Sequence, residues 1–161
     1  MNKKAIQLIK KLRLQKHPEG GYYKQTYSSD IIVNSKGYNG PRHAVTAIYY
    51  LLVGDQFSAF HRLRSDEIWN YYAGGSLKLY VIDNGKLTRI RLGKRRGETV
   101  QAIVKSGVWF AALLTNKKSY CLLGCIVSPG FEYSDWQLGK RNELIKMYPQ
   151  HKKIIEQYAT I

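Results

Sequence analysis

The residues with the clearest chemical potential lie in one short stretch, residues 54–75, which reads GDQFSAFHRLRSDEIWNYYAGG. Within it, residues 57–63 and 67–72 each alternate as β-strands do, and a polar turn joins them, which predicts a β-hairpin. Because successive strand residues point to opposite faces, His61 and Glu67 would share an apolar wall. Each would then be the hydrogen-bond partner that the other needs when it is buried.

A histidine and a carboxylate in a low-dielectric pocket have two chemical uses, proton transfer and metal ligation. For proton transfer, His61 is the candidate base, Glu67 is its orienting or acidic partner, and Tyr71 is a proton donor. The alternative is a purely structural hydrogen bond between His61 and Glu67. The candidate ligand-binding side chains are aromatic or basic: Tyr23, Arg42, Trp69, Trp109, Phe131 and Tyr133. Tyr23 and Tyr133 are further candidate proton donors, whereas the tryptophans and Phe131 could stack against a ring or belong to the core.

Three basic residues are candidates for binding a phosphate or carboxylate group of a ligand. Arg42 is the best placed of them, because it lies at the end of a predicted strand where the opening of a ligand pocket is expected. Arg62 points away from His61 by strand alternation, and Lys105 is the third candidate. We therefore predict a small-molecule ligand, with an anionic ligand as one option.

The balance of charges is strongly basic, with 26 Lys and Arg against 11 Asp and Glu and a formal net charge of +15. Such an excess often marks partners such as nucleic acids or anionic surfaces. Here the basic residues are spread over predicted helices and turns, where charges usually face solvent. No zinc-finger, helix-turn-helix or aromatic RNA-binding signature accompanies them, so specific nucleic-acid binding is not favoured.

The sequence also predicts a reducing, non-membrane environment. Cys121 and Cys125 lie four residues apart in one predicted strand, about 13 Å from each other, which is too far for a disulfide and predicts free buried thiols. No apolar run approaches 18 residues, and residues 1–14 lack the features of a signal peptide, so we predict a cytoplasmic protein.

The elements that must position these residues are mostly short strands. We predict one domain over residues 1–161, with helices only near its two ends and a hairpin turn at Asn84-Gly85. The predicted strands are 22–28, 44–53, 57–63, 67–72, 77–82, 86–92, 99–104, 108–114 and 120–128. So many strands with regular turns indicate a mainly β jelly roll or barrel. The run 44–53 is apolar on both faces, which predicts cover by a second sheet or by the partner subunit of a homodimer.

Two motifs in the chain resemble those of cupins. The spacing of Gly54, His61, Glu67 and Gly74 resembles the first cupin motif, with Leu63 where a second metal-binding histidine stands in cupins. The stretch that begins at Gly97 and contains KSGVWF resembles the second motif, with Phe110 in place of the last histidine ligand. Longer segments resemble a subfamily of single-domain cupins of unknown function: HPEGGYY, HRLRSDEIW, YYAGGSLKLY, LGKRRGE, GVWFAA, LLGCIVSPGFEYSDWQLG and RNELIKMYPQH.

The resemblance implies a double-stranded β-helix with a cavity open at one end, and a dimer. The chain is also distantly similar to the metal-free dTDP-sugar 3,5-epimerases. In those enzymes a histidine removes a proton next to a carbonyl group and a tyrosine returns one. That similarity implies a metal-independent isomerase or epimerase, and a non-catalytic ligand-binding cupin is the alternative. Because Leu63 and Phe110 replace two ligands, we predict no metal and no other cofactor, unless His17 or His43 turns inward.

Overall fold

The computed structural model describes residues 2–161 and confirms a mainly β fold with short terminal helices. The helices are α1 (Lys3–Leu12), α2 (Arg141–Met147) and α3 (Lys152–Tyr158). The strands are β1 (Gln15–Lys16), β2 (Tyr22–Ser28), β3 (Ile32–Val33), β4 (Arg42–His43), β5 (Thr46–Val53), β6 (Phe57–Leu63), β7 (Asp66–Gly74), β8 (Leu77–Asp83), β9 (Lys86–Leu92), β10 (Gln101–Val104), β11 (Trp109–Leu114), β12 (Tyr120–Ser128) and β13 (Trp136–Leu138). Single 3₁₀ turns cover Tyr133–Asp135 and Pro149–His151.

Two antiparallel sheets pack face to face, as the jelly-roll prediction requires. One sheet has the strand order β1-β2-β5-β12-β7-β10, and the other has the order β13-β6-β11-β8-β9. The main core lies between them and is built from alternate residues of both sheets, among them Tyr50, Leu52, Trp69, Leu79, Phe110 and Leu123. The short β3–β4 ribbon lies outside both sheets.

The stretch that carries His61 and Glu67 is not a hairpin. β6 belongs to the five-stranded sheet and β7 to the six-stranded sheet, so the turn between them crosses from one sheet to the other. Alternation alone could not separate these arrangements, because a strand shows the same pattern whichever neighbour it pairs with. The crossing places His61 and Glu67 on walls that face each other across the inside of the sandwich.

The apolar strand β5 is covered on both faces by its own chain. Its inner face joins the main core, and Leu51 and Val53 on its outer face pack with Ala5 of α1. Helix α1 is fixed in place by the side chain of Asn2, which accepts hydrogen bonds from the first backbone N–H groups. The burial of β5 therefore requires no partner subunit, and the homodimer stays a prediction.

Most predicted elements are present, with the differences at their ends. The bounds of β2, β6, β9 and β12 coincide with the prediction. Asn84 and Gly85 both have positive φ, 46° and 75°, and close the β8–β9 hairpin as predicted. The strands β1, β3, β4 and β13 were not predicted, because two or three residues are too few to show alternation.

Two further predictions concern the cysteines and the membrane. Cys121 and Cys125 are free and buried, as the sequence predicts. None of the helices formed within residues 2–161 combines the length and apolar character needed to cross a bilayer.

Candidate functional site

A cavity of about 120 Å³ lies between the two sheets at one end of the sandwich. Its walls come from both sheets, from the segment before β2 and from the segment around β13. The lining residues are His17, Glu19, Tyr23, Gln25, Thr46, Ile48, His61, Leu63, Glu67, Cys125, Val127, Phe131, Tyr133 and Trp136. The cavity is thus largely apolar with a few polar groups, which is the usual composition of a small-ligand site.

A tight turn at residues 17–21 brings Glu19 against β6. The backbone N–H of Gly20 bonds to the carbonyl of His17 at 3.1 Å, and the N–H of His17 bonds to the carbonyl of Gly21 at 3.1 Å. Gly20 has φ +115°, and a Cβ at this position would overlap the carbonyl oxygen of Phe57, so the turn requires glycine. The carbonyl of Glu19 accepts from the N–H of Ala59 at 2.9 Å and ties the turn to β6.

Glu19 is the polar centre of the cavity, and it is the partner of His61. Its Oε2 lies 3.2 Å from Nε2 of His61 and accepts from the indole N–H of Trp136 at 3.3 Å. Its Oε1 accepts from the hydroxyl of Ser58 at 3.0 Å. The predicted pairing of His61 with Glu67 is therefore wrong, because the chain supplies another carboxylate from the turn before β2.

The contacts of the imidazole define where its protons lie. Nδ1 of His61 is 2.7 Å from the carbonyl oxygen of Ala59, which can only accept, so Nδ1 carries a proton. Nε2 faces the carboxylate of Glu19 at 3.2 Å, an arrangement that is favourable when a second proton lies between them. A proton shared by the pair would therefore lie at one position, between Nε2 of His61 and Oε2 of Glu19.

His17 lines the cavity beside this pair in its neutral form. Its Nδ1 accepts from the backbone N–H of Glu19 at 3.3 Å and lies 3.7 Å from Oε1 of the same residue. Burial lowers the pKa of His17 more than the nearby Glu19 raises it. The ring also contacts Tyr23 edge to face, with 4.6 Å between the centroids.

Glu67 lies on β7 in the cavity wall, apart from the His61–Glu19 pair, and is only 6% exposed. Burial, and then the charge of Glu19, raise the pKa of Glu67 to about 8. Trp69 and Cys125 oppose part of this shift, yet Oε2 of Glu67 and Nε1 of Trp69 both lack a hydrogen-bond partner of acceptable geometry. Glu67 thus lines the cavity, while its Oε2 is closed off from it.

Three of the predicted aromatic ligand-binding residues, Tyr23, Phe131 and Tyr133, line the cavity. The rings of Phe131 and Tyr133 meet edge to face at 5.1 Å, and Tyr133 is 52% exposed at the mouth. The neighbouring phenol of Tyr23 is the main cause that raises the pKa of Tyr133 to about 12. Tyr133 therefore faces the cavity in its neutral, proton-donating form at neutral pH, and Tyr23 lies beside it.

Three other predicted aromatic residues lie away from the cavity. Tyr71 packs against the core and donates its hydroxyl proton to the carbonyl of Gly74 at 2.6 Å. Trp69 is buried in the main core between Tyr50 and Phe110 rather than in the cavity wall. Trp109 packs beneath the C-terminal helices in a second core. The predicted roles of Tyr71, Trp69 and Trp109 are corrected accordingly, because alternation fixes the face of a strand but not the position along it.

The predicted anion-binding residues are engaged elsewhere. Arg42 is buried and binds Asp135 with two hydrogen bonds, from Nε at 2.6 Å and from Nη2 at 3.1 Å. Lys105 pairs with Asp66 at the surface at 2.7 Å, and Arg62 bonds to Gln137 outside the cavity. No Lys or Arg lines the cavity within the part of the chain that the structure describes, so an anionic ligand would find no cation there.

Comparison with known proteins agrees with this architecture. The family model described as Cupin superfamily (DUF985) matches residues 6–139, which is most of the chain. The chain belongs to this cupin family. A hypothetical protein from Leishmania major superposes with a TM-score of 0.91 at 38% identity, covering 98% of this chain and 99% of its own. A protein from Shewanella oneidensis superposes with a TM-score of 0.89 at 36% identity, covering 99% of this chain and 98% of its own.

A curated relative gives the same picture. An uncharacterized protein of Saccharomyces cerevisiae is 30% identical over 155 residues, which cover 87% of this chain and 77% of the relative. The resemblance to a cupin subfamily is thus confirmed, and so is the fold. The distant similarity to dTDP-sugar epimerases stays a prediction.

Cupins often hold a metal, and the residues of this chain do not fit one. Leu63 lines the cavity and Phe110 lies against His61, with 4.0 Å between the ring centroids, so hydrocarbon occupies both replaced ligand positions. Among residues 2–161 there is no group of three or more His, Cys, Asp or Glu that could hold a metal ion. His17 does turn inward and lines the cavity, but its Nδ1 accepts from the backbone N–H of Glu19 at 3.3 Å. His43 is withdrawn, since its Nδ1 lies 2.6 Å from the carbonyl of Ser29.

Proposed function

We propose that this cupin binds a small carbonyl compound and moves a proton to and from the carbon next to its carbonyl group, without a metal. The observation that carries the proposal is the contact of 3.2 Å between Nε2 of His61 and Oε2 of Glu19 in the cavity wall. A buried histidine–carboxylate pair with one mobile proton is suited to general acid–base catalysis near neutral pH. The reaction class is isomerisation or epimerisation.

The proposed step needs no external reactant. The C–H bond next to the carbonyl breaks, its proton goes to the His61–Glu19 pair, and its electrons form the C=C bond of an enolate. When the C=C electrons take up a proton again, the carbonyl is restored. If the His61–Glu19 pair returns the proton to the same face of the enolate, the substrate is regenerated. If Tyr133 or Tyr23 lies on the opposite face and donates a proton there, the configuration of the carbon is inverted. The pair's proton then restores the phenol through solvent.

The size of the cavity limits the ligand. At about 120 Å³ it is well below the roughly 300–1,000 Å³ of typical sites for drug-sized molecules. A compact carbonyl compound, or the sugar portion of a larger molecule such as a sugar nucleotide, matches this volume. A nucleotide portion would remain outside, near Tyr133 at the mouth.

One observation favours the alternative, a non-catalytic ligand-binding cupin. Both carboxylate oxygens of Glu19 have partners in Ser58, Trp136 and His61, and both ring nitrogens of His61 are engaged. A network in which every member has its hydrogen bonds is also consistent with a purely structural role, namely to fix the shape of the cavity. Binding without proton exchange is the behaviour that this alternative predicts.

Proton exchange into deuterium oxide separates the two functions. The protein is incubated with hydroxyacetone, dihydroxyacetone or D-xylose, and the signal of the C–H next to the carbonyl is followed by proton NMR. We expect its loss with the native protein, and a rate at least about 100-fold lower with Glu19→Gln, since a positioned acid or base contributes about 10²–10⁴-fold. Glu143→Gln, at an exposed carboxylate paired with Lys140, is the control and should exchange normally. No exchange with any of the three compounds, or full exchange with Glu19→Gln, contradicts the proposal.

A further inference from the structure

Glu67 is the one acidic residue of the cavity wall that the proposed proton transfer does not use. Glu67 is 6% exposed and lines the cavity, and its Oε2 is inaccessible and has no hydrogen-bond partner among residues 2–161. The other oxygen, Oε1, has no hydrogen bond within the described chain and is the accessible one, so a ligand in the cavity can supply its bond.

We propose that Glu67 holds its proton at neutral pH and donates a hydrogen bond from its carboxyl group to an uncharged oxygen of the ligand. The cavity then selects neutral carbonyl compounds over carboxylates and phosphates. The proposal rests on the proposed function, because it takes the cavity as the site of a small carbonyl ligand, and it names the class of that ligand.

The surroundings of the two carboxyl groups explain why they differ. Glu19 accepts hydrogen bonds from the hydroxyl group of Ser58 and the indole N–H of Trp136, and it contacts the imidazole of His61. Glu67 receives none of comparable geometry at its Oε2. Donors stabilise the ionised form of an acid, so the lack of a donor at Oε2 favours the protonated form of Glu67.

Among residues 2–161, no Lys or Arg lines the cavity to balance an ionised Glu67. The titratable groups that face it come from four elements: Glu19 and His17 from the segment before β2, Tyr50 from β5, His61 from β6, and Cys125 from β12. The burial of His17 lowers its pKa and keeps it neutral, and any charge on His61 is matched by Glu19. The pKa of Glu67, raised to about 8 by burial and by Glu19, agrees with this arrangement.

The ligand class follows from charge. A carboxylate or phosphate in this cavity would meet the charge of Glu19 with no Lys or Arg in the described lining to offset it. A neutral carbonyl oxygen instead accepts the proton of Glu67, and the bond strengthens as the oxygen gains negative charge in an enolate. The Lys and Arg residues that give the chain its net charge of +15 do not line the cavity and do not change this selection.

Infrared spectroscopy tests the proton on Glu67 without any ligand. The native protein and Glu67→Gln are compared between pH 6 and pH 10, with Glu143→Gln as the control. We expect a carbonyl-stretch band of a protonated carboxylic acid at pH 7 that is absent in Glu67→Gln, unchanged in Glu143→Gln, and lost in the native protein above about pH 8. Native and Glu67→Gln spectra without this difference at pH 7 overturn the proposal.

Two matched probes test the ligand class, namely lactamide, which is neutral, and lactate, its carboxylate counterpart of the same shape. Binding is followed at the indole N–H signal of Trp136, assigned with Trp136→Phe, because this group touches Glu19. We expect lactamide to bind at least about 10-fold more tightly than lactate, since an unpaired buried charge is strongly rejected. Glu67→Gln keeps a donor and should retain lactamide binding, without the loss that native protein shows above about pH 8.

Equal or tighter binding of lactate, or no response to either probe, overturns the selectivity. The two proposals fail separately. Absence of proton exchange from carbonyl compounds, together with an intact infrared band and lactamide binding, would refute the proposed reaction and leave the role of Glu67 standing.

Discussion

Nε2 of His61 lies 3.2 Å from Oε2 of Glu19, although these residues come from separate elements of the chain. The contact exists because the turn at residues 17–21 is tied to β6 through the backbone of Ala59. It replaces the expected pairing with Glu67 and gives the cavity two carboxyl groups in different environments. Glu19 accepts hydrogen bonds from Ser58 and Trp136, whereas Oε2 of Glu67 has no partner among residues 2–161.

Glu67 should make the protein less stable as the pH rises. Its pKa is about 8 in the folded protein and near 4.5 in the unfolded chain, so between these values the folded state holds an extra proton. The free energy of unfolding therefore falls as the pH rises across this window, by about 1.4 kcal/mol for each unit of pKa difference. Above the window it levels off. The lowered pKa of His17 acts in the opposite direction below about pH 6.5.

The comparison of native protein with Glu67→Gln removes the contribution of His17. Chemical denaturation between pH 5 and pH 9 should show the variant gaining stability relative to the native protein as the pH rises. A constant difference over this range would mean that Glu67 does not titrate there.

Arg42 should stabilise the fold through a buried ion pair rather than bind an anionic ligand. It joins Asp135, next to Trp136 of the cavity wall, to the carbonyls of Asn39 and Pro41. Arg42→Met leaves Asp135 with only the longer contact to Arg64 at 3.7 Å and should cost clearly more stability than Lys105→Met, which lies at an exposed pair and should cost about 0–1 kcal/mol.

The double variant Arg42→Met with Asp135→Leu checks the cause of that cost. It should recover part of the lost stability in urea denaturation, because no unpaired buried charge remains. A double variant less stable than Arg42→Met alone would show that the residue acts in another way.

Purified protein should carry well under one equivalent of transition metal per chain, because Leu63 and Phe110 place hydrocarbon at two ligand positions. Elemental analysis of protein prepared without added metal provides the measurement. Leu63→His, which restores one ligand type, should raise the metal content. Iron, manganese or zinc that stays at one equivalent through dialysis would sink this prediction.

We also expect a homodimer, through the outer face of the six-stranded sheet rather than through β5. At the edge of this sheet Tyr72 of β7 is 51% exposed and Ile103 of β10 is 52% exposed, and Ile103 pairs with Ile68 of β7. Light scattering at micromolar concentration should give twice the mass of the chain, and Ile103→Glu should shift the protein toward monomer. A native monomer would refute the dimer and leave the fold unaffected.

The fold could be predicted from sequence because its signals are local. Alternation and turns defined β2, β6, β9 and β12 to the residue, and Asn84-Gly85 identified its hairpin. The site could be predicted only in part. His61, Glu67, Tyr23, Phe131 and Tyr133 were assigned to a ligand site from their types and positions, and they do line the cavity.

The partners of these residues could not be found in the same way. Glu19 meets His61, and Asp135 meets Arg42, through contacts between distant parts of the chain that no local pattern encodes. The only signal for Glu19 was its place between His-Pro and two glycines, a turn too tight for most residues. That segment resembles the cupin subfamily, and the resemblance implies no role for its carboxylate.

The protonation of the His61 ring tests the central claim most directly. Nitrogen-15 NMR of the histidine side chains, with His61 assigned by His61→Asn, reports which ring nitrogen carries a proton in the native protein and in Glu19→Gln. The structure requires Nδ1 to stay protonated against the carbonyl of Ala59, with Nε2 as the nitrogen that gains or loses a proton and responds to Glu19→Gln. A neutral ring protonated at Nε2 with bare Nδ1, or an Nε2 signal that Glu19→Gln leaves unchanged, would contradict it.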